Sequence, residues 1–255
     1  MDPISVALPL AGVQTTMLAG VRIAAFLAIA PPFSQKSIPG IVRMTIALGL
    51  ALAVAPRLPE VAADGTGAFF GALVLEAITG AAFGFLVMMT FAAIQSAGTL
   101  IDLFGGFQIA SAYDPMTQTS GAPVQRLYQM TALVLLFVSN GYQVVLAGLV
   151  RTFDALPLGT MLDPSVFMST LTTGLSQMFV GAVQIAGPLL VVLFLADVGL
   201  GLLTRVAPAL NAFAMGFPLK ILITLSFGAF AVLALPTVVR ALTGRSVAAM
   251  FGSGS

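Results

Sequence analysis

The chain has 255 residues, 59% of them hydrophobic and 7% charged, with a net charge of +1. A soluble domain is about one-quarter charged, so this composition excludes an ordinary water-facing surface and offers no basic field for nucleic acid. Cys and His are both absent, which excludes disulfides, Cys or His metal sites, thiol nucleophiles and imidazole bases.

A helix that crosses a membrane needs about 20 mostly apolar residues, and six apolar segments are predicted. Met1–Pro3 carries Asp2 in place of a basic stretch, so no cleavable signal is expected. Ile4–Ala30 follows, interrupted only by Arg22. Pro31–Gly40 is a short polar turn flanked by prolines, which end one helix and start the next. Ile41–Pro56 is barely long enough to cross and has Arg43 near its start. After the polar turn Arg57–Thr66 comes Gly67–Ile101, whose only charge is Glu76. As a helix it would run about 52 Å, more than one crossing needs. Gly67/Gly71 and Gly80/Gly84 lie four apart within it. That spacing lets helix backbones approach closely, or it reflects only the abundance of glycine in membrane helices.

Leu127–Val150 carries no charge, and Arg151–Pro164 connects it onward with Asp163 as a plausible helix cap. Ser165–Ala196 is also uncharged and holds Gly187-Pro188, where a kink is expected. Asn211–Val239 has Lys220 near its start, and Gly252–Ser255 reads as an added linker. With the N-terminus outside, Lys36, Arg43, Arg126, Arg205 and Lys220 fall inside, against Arg57, Arg151, Arg240 and Arg245 outside. So even a split specifies no topology. The expected fold is all-α and membrane-type, made of long, kinked helical hairpins whose apolar faces pack largely on sister subunits.

The connector 102–123 stands apart, because long loops are often functional and this one is apolar. Phe104 and Phe107 flank Gly105-Gly106, and Ile109 and Tyr113 follow. Irregular backbone at membrane depth must be buried in protein or line a cavity. The segment is therefore either a buried re-entrant turn or an apolar constriction of the kind that closes pores by dewetting. Six charges sit in or beside apolar segments: Arg22, Glu76, Asp102, Asp197, Arg205 and Lys220. Intramembrane charges are costly and hence functional candidates; structural pairing or a helix end at the interface is the competing account of each. Arg22 and Glu76 are candidates to pair across helices. No residue set for protease or phosphate-loop chemistry is present, so no enzymatic activity, cofactor or metal is expected.

The colinear set of motifs resembles the FliR family, the R subunit of the bacterial flagellar type III protein export gate, over about residues 5–243. The set comprises Arg22 with Pro31-Pro32-Phe33-Ser34, Ile38-Pro39 and Arg43; Glu76 with Gly80 and Gly84; and Gly98, Asp102, Gly105-Gly106-Phe107 and Asp114-Pro115. It continues with Asp197-Val198-Gly199-Leu200, Arg205, Pro208, Leu210-Asn211-Ala212-Phe213 and Gly216-Phe217-Pro218-Leu219-Lys220-Ile221. The T subunits of virulence-type secretion systems are homologous. Thr152-Phe153 stands where the family often has Ser-Phe, a departure that bears on one local contact.

The resemblance implies a non-enzymatic gate subunit in the bacterial inner membrane, at the flagellar basal body. It implies assembly with P and Q export-gate subunits, the B subunit and the large export-gate subunit, and passage of unfolded exported proteins. It also implies a P-like part over 1–165 and a Q-like two-helix hairpin over 166–245. The plug role falls on Gly105, Gly106 and Phe107, with Phe104, Ile109 and Tyr113 as neighbours. The alternative is a polytopic small-molecule or ion transporter, a class that usually shows inverted repeats around broken helices.

Overall fold

Seven α-helices form among the described residues, and every one of them is rich in apolar side chains. The structure, a computed structural model, describes residues 10–61, 65–107, 123–207 and 212–250. The helices are α1 (Leu10–Ile29), α2 (Gly40–Val54), α3 (Thr66–Phe104), α4 (Pro123–Val138), α5 (Gly141–Ala155), α6 (Pro164–Val206) and α7 (Ala212–Met250). There is no strand among the described residues, and the protein is all-α. By length and composition α1, α2 with its short 3-10 extension, α3 and α6 can each cross a membrane; α4 and α5 together make a fifth, broken candidate.

The chain divides into two compact units. The first comprises Met1–Met88, Tyr142–Thr172 and Thr243–Ser255. In it α1 buries one face, Thr15, Leu18, Ala19, Arg22, Ile23, Phe26 and Leu27, at the spacing a 3.6-residue helix requires. α2 packs on α1 through the small residues Ala47 and Ala51 and through Val54, while Ile41, Met44, Leu48 and Leu52 are exposed. Small residues facing inward and large apolar ones outward suit a helix surrounded by lipid or by other subunits, not by water. Three hydrogen bonds fasten the turns. Arg43 Nη2 donates to the carbonyls of Gln35 (3.4 Å) and Ile38 (3.0 Å). The Val61 N–H donates to Thr15 Oγ1 at 3.0 Å.

The second unit comprises Met89–Gly141 and Thr173–Leu242. α6 buries only the narrow stripe Ala182, Ala186, Leu189 and Leu193 there, and it leaves Phe179, Val183, Val191, Phe194, Leu195 and Leu202 exposed. α6 continues through Pro188 as one helix, with the proline on its exposed side.

Two expectations from sequence need revision. Leu127–Val150 is not one helix. It breaks at Ser139-Asn140, where Asn140 takes φ 55°. Asn tolerates the left-handed region better than other non-glycine residues, so two polar positions in an apolar run suffice to end α4. Residues 102–104 also belong to the last turn of α3 rather than to a connector. Both terminal helices outrun their apolar segments: α6 continues past Ala196 to Val206, and α7 past Val239 to Met250.

Asp163 caps α6. Its Oδ1 accepts from the Ser165 hydroxyl at 2.6 Å and from the Ser165 N–H at 2.8 Å. The Ser165 hydroxyl, then its N–H, hold the Asp163 carboxyl below the usual carboxylate range. A depressed folded-state pKa means that the cap's contribution is complete above the unfolded-state pKa and is lost as pH falls through the folded value. An NMR titration should therefore place the Asp163 midpoint below about 3.9, the value for a free aspartate; a midpoint at or above it would mean the cap is not formed.

Candidate functional site

Three polar constructions interrupt the apolar packing among the described residues, one in the first unit and two in the second. The first is the pair Arg22–Glu76, both fully buried. Arg22 Nε donates to Glu76 Oε2, and Nη2 donates to Oε1 at 3.0 Å, a two-pronged geometry that guanidinium and carboxylate match. The remaining valences reach the far end of α5. Arg22 Nη1 donates to the carbonyls of Leu156 (2.7 Å) and Thr152 (3.4 Å), and Nη2 reaches that of Pro157 (3.5 Å). The Leu156 carbonyl lies just past the C-terminus of α5, where a cation is favoured; the Thr152 carbonyl also accepts the Leu156 N–H at 2.8 Å, and the Pro157 carbonyl the Thr160 hydroxyl at 2.6 Å. The guanidinium carbon also sits 4.6 Å from the centre of the Phe153 ring. Glu76 Oε1 accepts the Gly159 N–H at 2.8 Å, and Gly159 holds φ 76°, a conformation glycine adopts without strain. One ion pair thus joins α1, α3 and the turn after α5.

Close helix contact makes this possible. A Cβ on Gly80 would collide with the Arg22 carbonyl, with the carbonyl carbon only 2.9 Å away, and one on Gly84 would lie 2.9 Å from the Phe26 carbonyl oxygen. Gly67 and Gly71, at identical spacing, have nothing within 4 Å.

The second construction lies in the other unit, where α3 ends. Asp102 is fully buried. Its Oδ1 accepts the Val124 N–H at 3.0 Å and its Oδ2 the Gln125 N–H at 2.8 Å, so it caps α4 from another helix. One turn earlier, a Cβ on Gly98 would lie 2.5 Å from Gln125 Cα. One turn later, α3 closes with the Gly105 N–H donating to the Ile101 carbonyl at 2.7 Å, and Gly106 at φ 83°. Cβ atoms there would meet Thr224 Oγ1 at 2.9 Å (Gly105) and Phe217 Cδ1 at 2.8 Å (Gly106). The Gly-Gly turn is therefore seated on α7. Phe107 lies back over Gly105, whereas Leu103 and Phe104 are exposed. The third construction is the Lys220–Asp197 ion pair, Nζ to Oδ1 at 2.7 Å, between α7 and α6.

The sequence matches the model of bacterial export proteins, family 1, over residues 13–246. The flagellar biosynthetic protein FliR of Escherichia coli (strain K12) is 35% identical over 209 residues, covering 80% of this chain and 79% of that protein. The protein of the same name from Bacillus subtilis (strain 168) is 28% identical over 212 residues, 82% of each. The Yop proteins translocation protein T of Yersinia pestis is 30% identical over 205 residues, 78% of each.

The chain belongs to the FliR family of bacterial export proteins.

Against the FliR-family expectations, Arg22 meets Glu76, and Asp197 meets Lys220. Asp102 meets backbone N–H groups rather than a charge. Arg205 is exposed in the last turn of α6 and is brought to none of these sites. Phe104, Gly105, Gly106 and Phe107 close α3 as described, while Ile109 and Tyr113 lie outside the described residues. Thr152, where the family often has Ser, donates its hydroxyl to the Leu149 carbonyl at 2.6 Å, a bond that serine makes equally well. Sequence reasoning passed over Thr224 and the Val124 and Gln125 amides. Only Pro123 hinted at them: it has no N–H, so the first free donors of α4 are those of the next two residues.

Proposed function

We propose that this chain is a non-enzymatic subunit of a flagellar type III export gate in the bacterial inner membrane, at the flagellar basal body. It forms part of the channel through which unfolded flagellar proteins pass, together with P and Q subunits, the B subunit and the large export-gate subunit. Residues 1–165 act as its P-like part and 166–245 as its Q-like hairpin. The segment 102–123 serves as a plug, with Phe104, Gly105, Gly106, Phe107, Ile109 and Tyr113 at the seal.

The observation that carries this reading is the end of α3. A buried Gly-Gly turn rests on α7 and presents Leu103 and Phe104 outward. Apolar side chains displayed from a tightly held turn form a dry barrier to ions, and a glycine turn is free to rearrange when a polypeptide arrives. The wide apolar faces left exposed on α2 and α6 supply surfaces for sister subunits or lipid. Flagellar use is favoured over virulence-type use because the E. coli flagellar relative shares more residues with this chain than the Yersinia translocation protein does.

Replacing Phe104 and Phe107 with Ala, or deleting 105–120, should make membranes that also contain the partner subunits leaky to ions. Unchanged conductance in both variants counts against the plug. Purification in mild detergent separates this reading from a small-molecule or ion transporter: the gate subunit co-purifies with export partners, a transporter alone or as a homodimer.

A further inference from the structure

We propose that Asp102 is a positioning residue of the gate: by capping α4 from the end of α3 it holds Phe104–Phe107 in the sealing arrangement. This rests on the plug reading above and assigns its control to one carboxylate. α4 begins at Pro123 and is preceded by Ala122, a residue without a capping group. Its first free N–H groups, those of Val124 and Gln125, each take one oxygen of Asp102. A buried carboxylate at a helix N-terminus gains from both hydrogen bonds and the helix dipole.

The fit depends on closeness. Gly98, one turn before Asp102 on the same face of α3, brings the α3 backbone against Gln125, so the short Asp side chain spans the remaining gap. Gly105 and Gly106, one turn further on, rest on Thr224 and Phe217 of α7. The last two turns of α3 are thus gripped by α4 and by α7. Phe104, 42% exposed, contributes little to holding itself in place. Its position is therefore set by the clasp beneath it.

The test uses the chain co-expressed with its partner subunits, purified as a complex and placed in lipid vesicles, with potassium leak as the readout. Asp102→Ala should raise the leak about tenfold, the shift in an open-to-closed ratio that loss of one helix cap corresponds to, while the complex is recovered at the yield of the unaltered one. Asp102→Asn keeps one acceptor oxygen and should fall between. Val124→Pro removes a donor from the opposite side at a first-turn position that tolerates proline. It should leak as well, and combining it with Asp102→Ala should add nothing.

An Asp102→Ala complex that assembles and stays tight overturns the proposal. If Phe104→Ala/Phe107→Ala leaks under the same conditions, the plug reading survives that result. If neither leaks, the plug reading fails and takes the clasp with it. Should Asp102→Ala not assemble, Asp102→Asn and Val124→Pro decide: tight complexes from both, or no complex from either, mean that Asp102 serves folding alone.

Discussion

Glu76→Ala destabilises the protein by about 3–5 kcal/mol, the range expected when a buried ion pair loses one member. The substitution leaves a fully buried guanidinium facing three carbonyls with no countercharge. It also removes the acceptor of the Gly159 N–H, so the turn after α5 is released as the charge is exposed. Glu76→Gln keeps an oxygen for Gly159 but no charge and should lie between alanine and the unaltered protein. Arg22→Met leaves the buried Glu76 carboxylate without its countercharge and the Leu156 carbonyl without its donor. The double variant Arg22→Met/Glu76→Ala should be less damaged than the sum of its parts, because no unpaired charge remains. Unfolding measured in detergent for the four variants tests this. A Glu76→Ala protein within about 1 kcal/mol of the original would mean that water or a neighbour reaches Arg22.

The second large effect is Gly80→Ala, and its sign distinguishes it from its neighbours in sequence. The added methyl meets the backbone of Arg22, which cannot swing away as a side chain would. α1 must shift, at a cost of about 1–3 kcal/mol for overpacking, and the shift carries the Arg22–Glu76 geometry with it. Gly71→Ala meets nothing within 4 Å. There alanine should be neutral or stabilise the isolated chain by up to about 1 kcal/mol, through helix propensity alone. In one detergent the melting temperature of Gly80→Ala should fall and that of Gly71→Ala hold or rise. Equal shifts would mean that α1 and α3 do not approach as closely as described.

These two experiments also mark where sequence reasoning stops. Gly67/Gly71 and Gly80/Gly84 have one spacing on one helix, yet only the second pair lies against α1. Spacing states what a helix face permits; a neighbouring backbone decides whether it is used. The charges behave alike. Arg22 and Glu76 were both visible as costly residues in apolar runs, but their pairing spans 54 residues of chain and follows from how α1 and α3 pack. For Asp102 the partner is a pair of backbone amides, which no side-chain pattern announces.

Helix bounds tell the same story in smaller ways. An apolar run ends at Ala196 because Asp197 follows, yet α6 continues past it, because a charged side chain leaves the backbone hydrogen bonds of the helix intact; Lys220 of α7 meets that carboxylate. Conversely, no charge interrupts 127–150, yet Asn140 breaks it.

The chain's own composition dictates that it is all-helical and built for apolar surroundings, because too few polar side chains exist to face water. Its ordered motifs also carry membership in the FliR family of export proteins. Tertiary packing alone settled which glycines touch and which charges meet. It also assigned the end of α3 its fastenings on α4 and α7. Each depends on atoms far apart in the chain arriving within a few ångströms, and composition and spacing do not encode that.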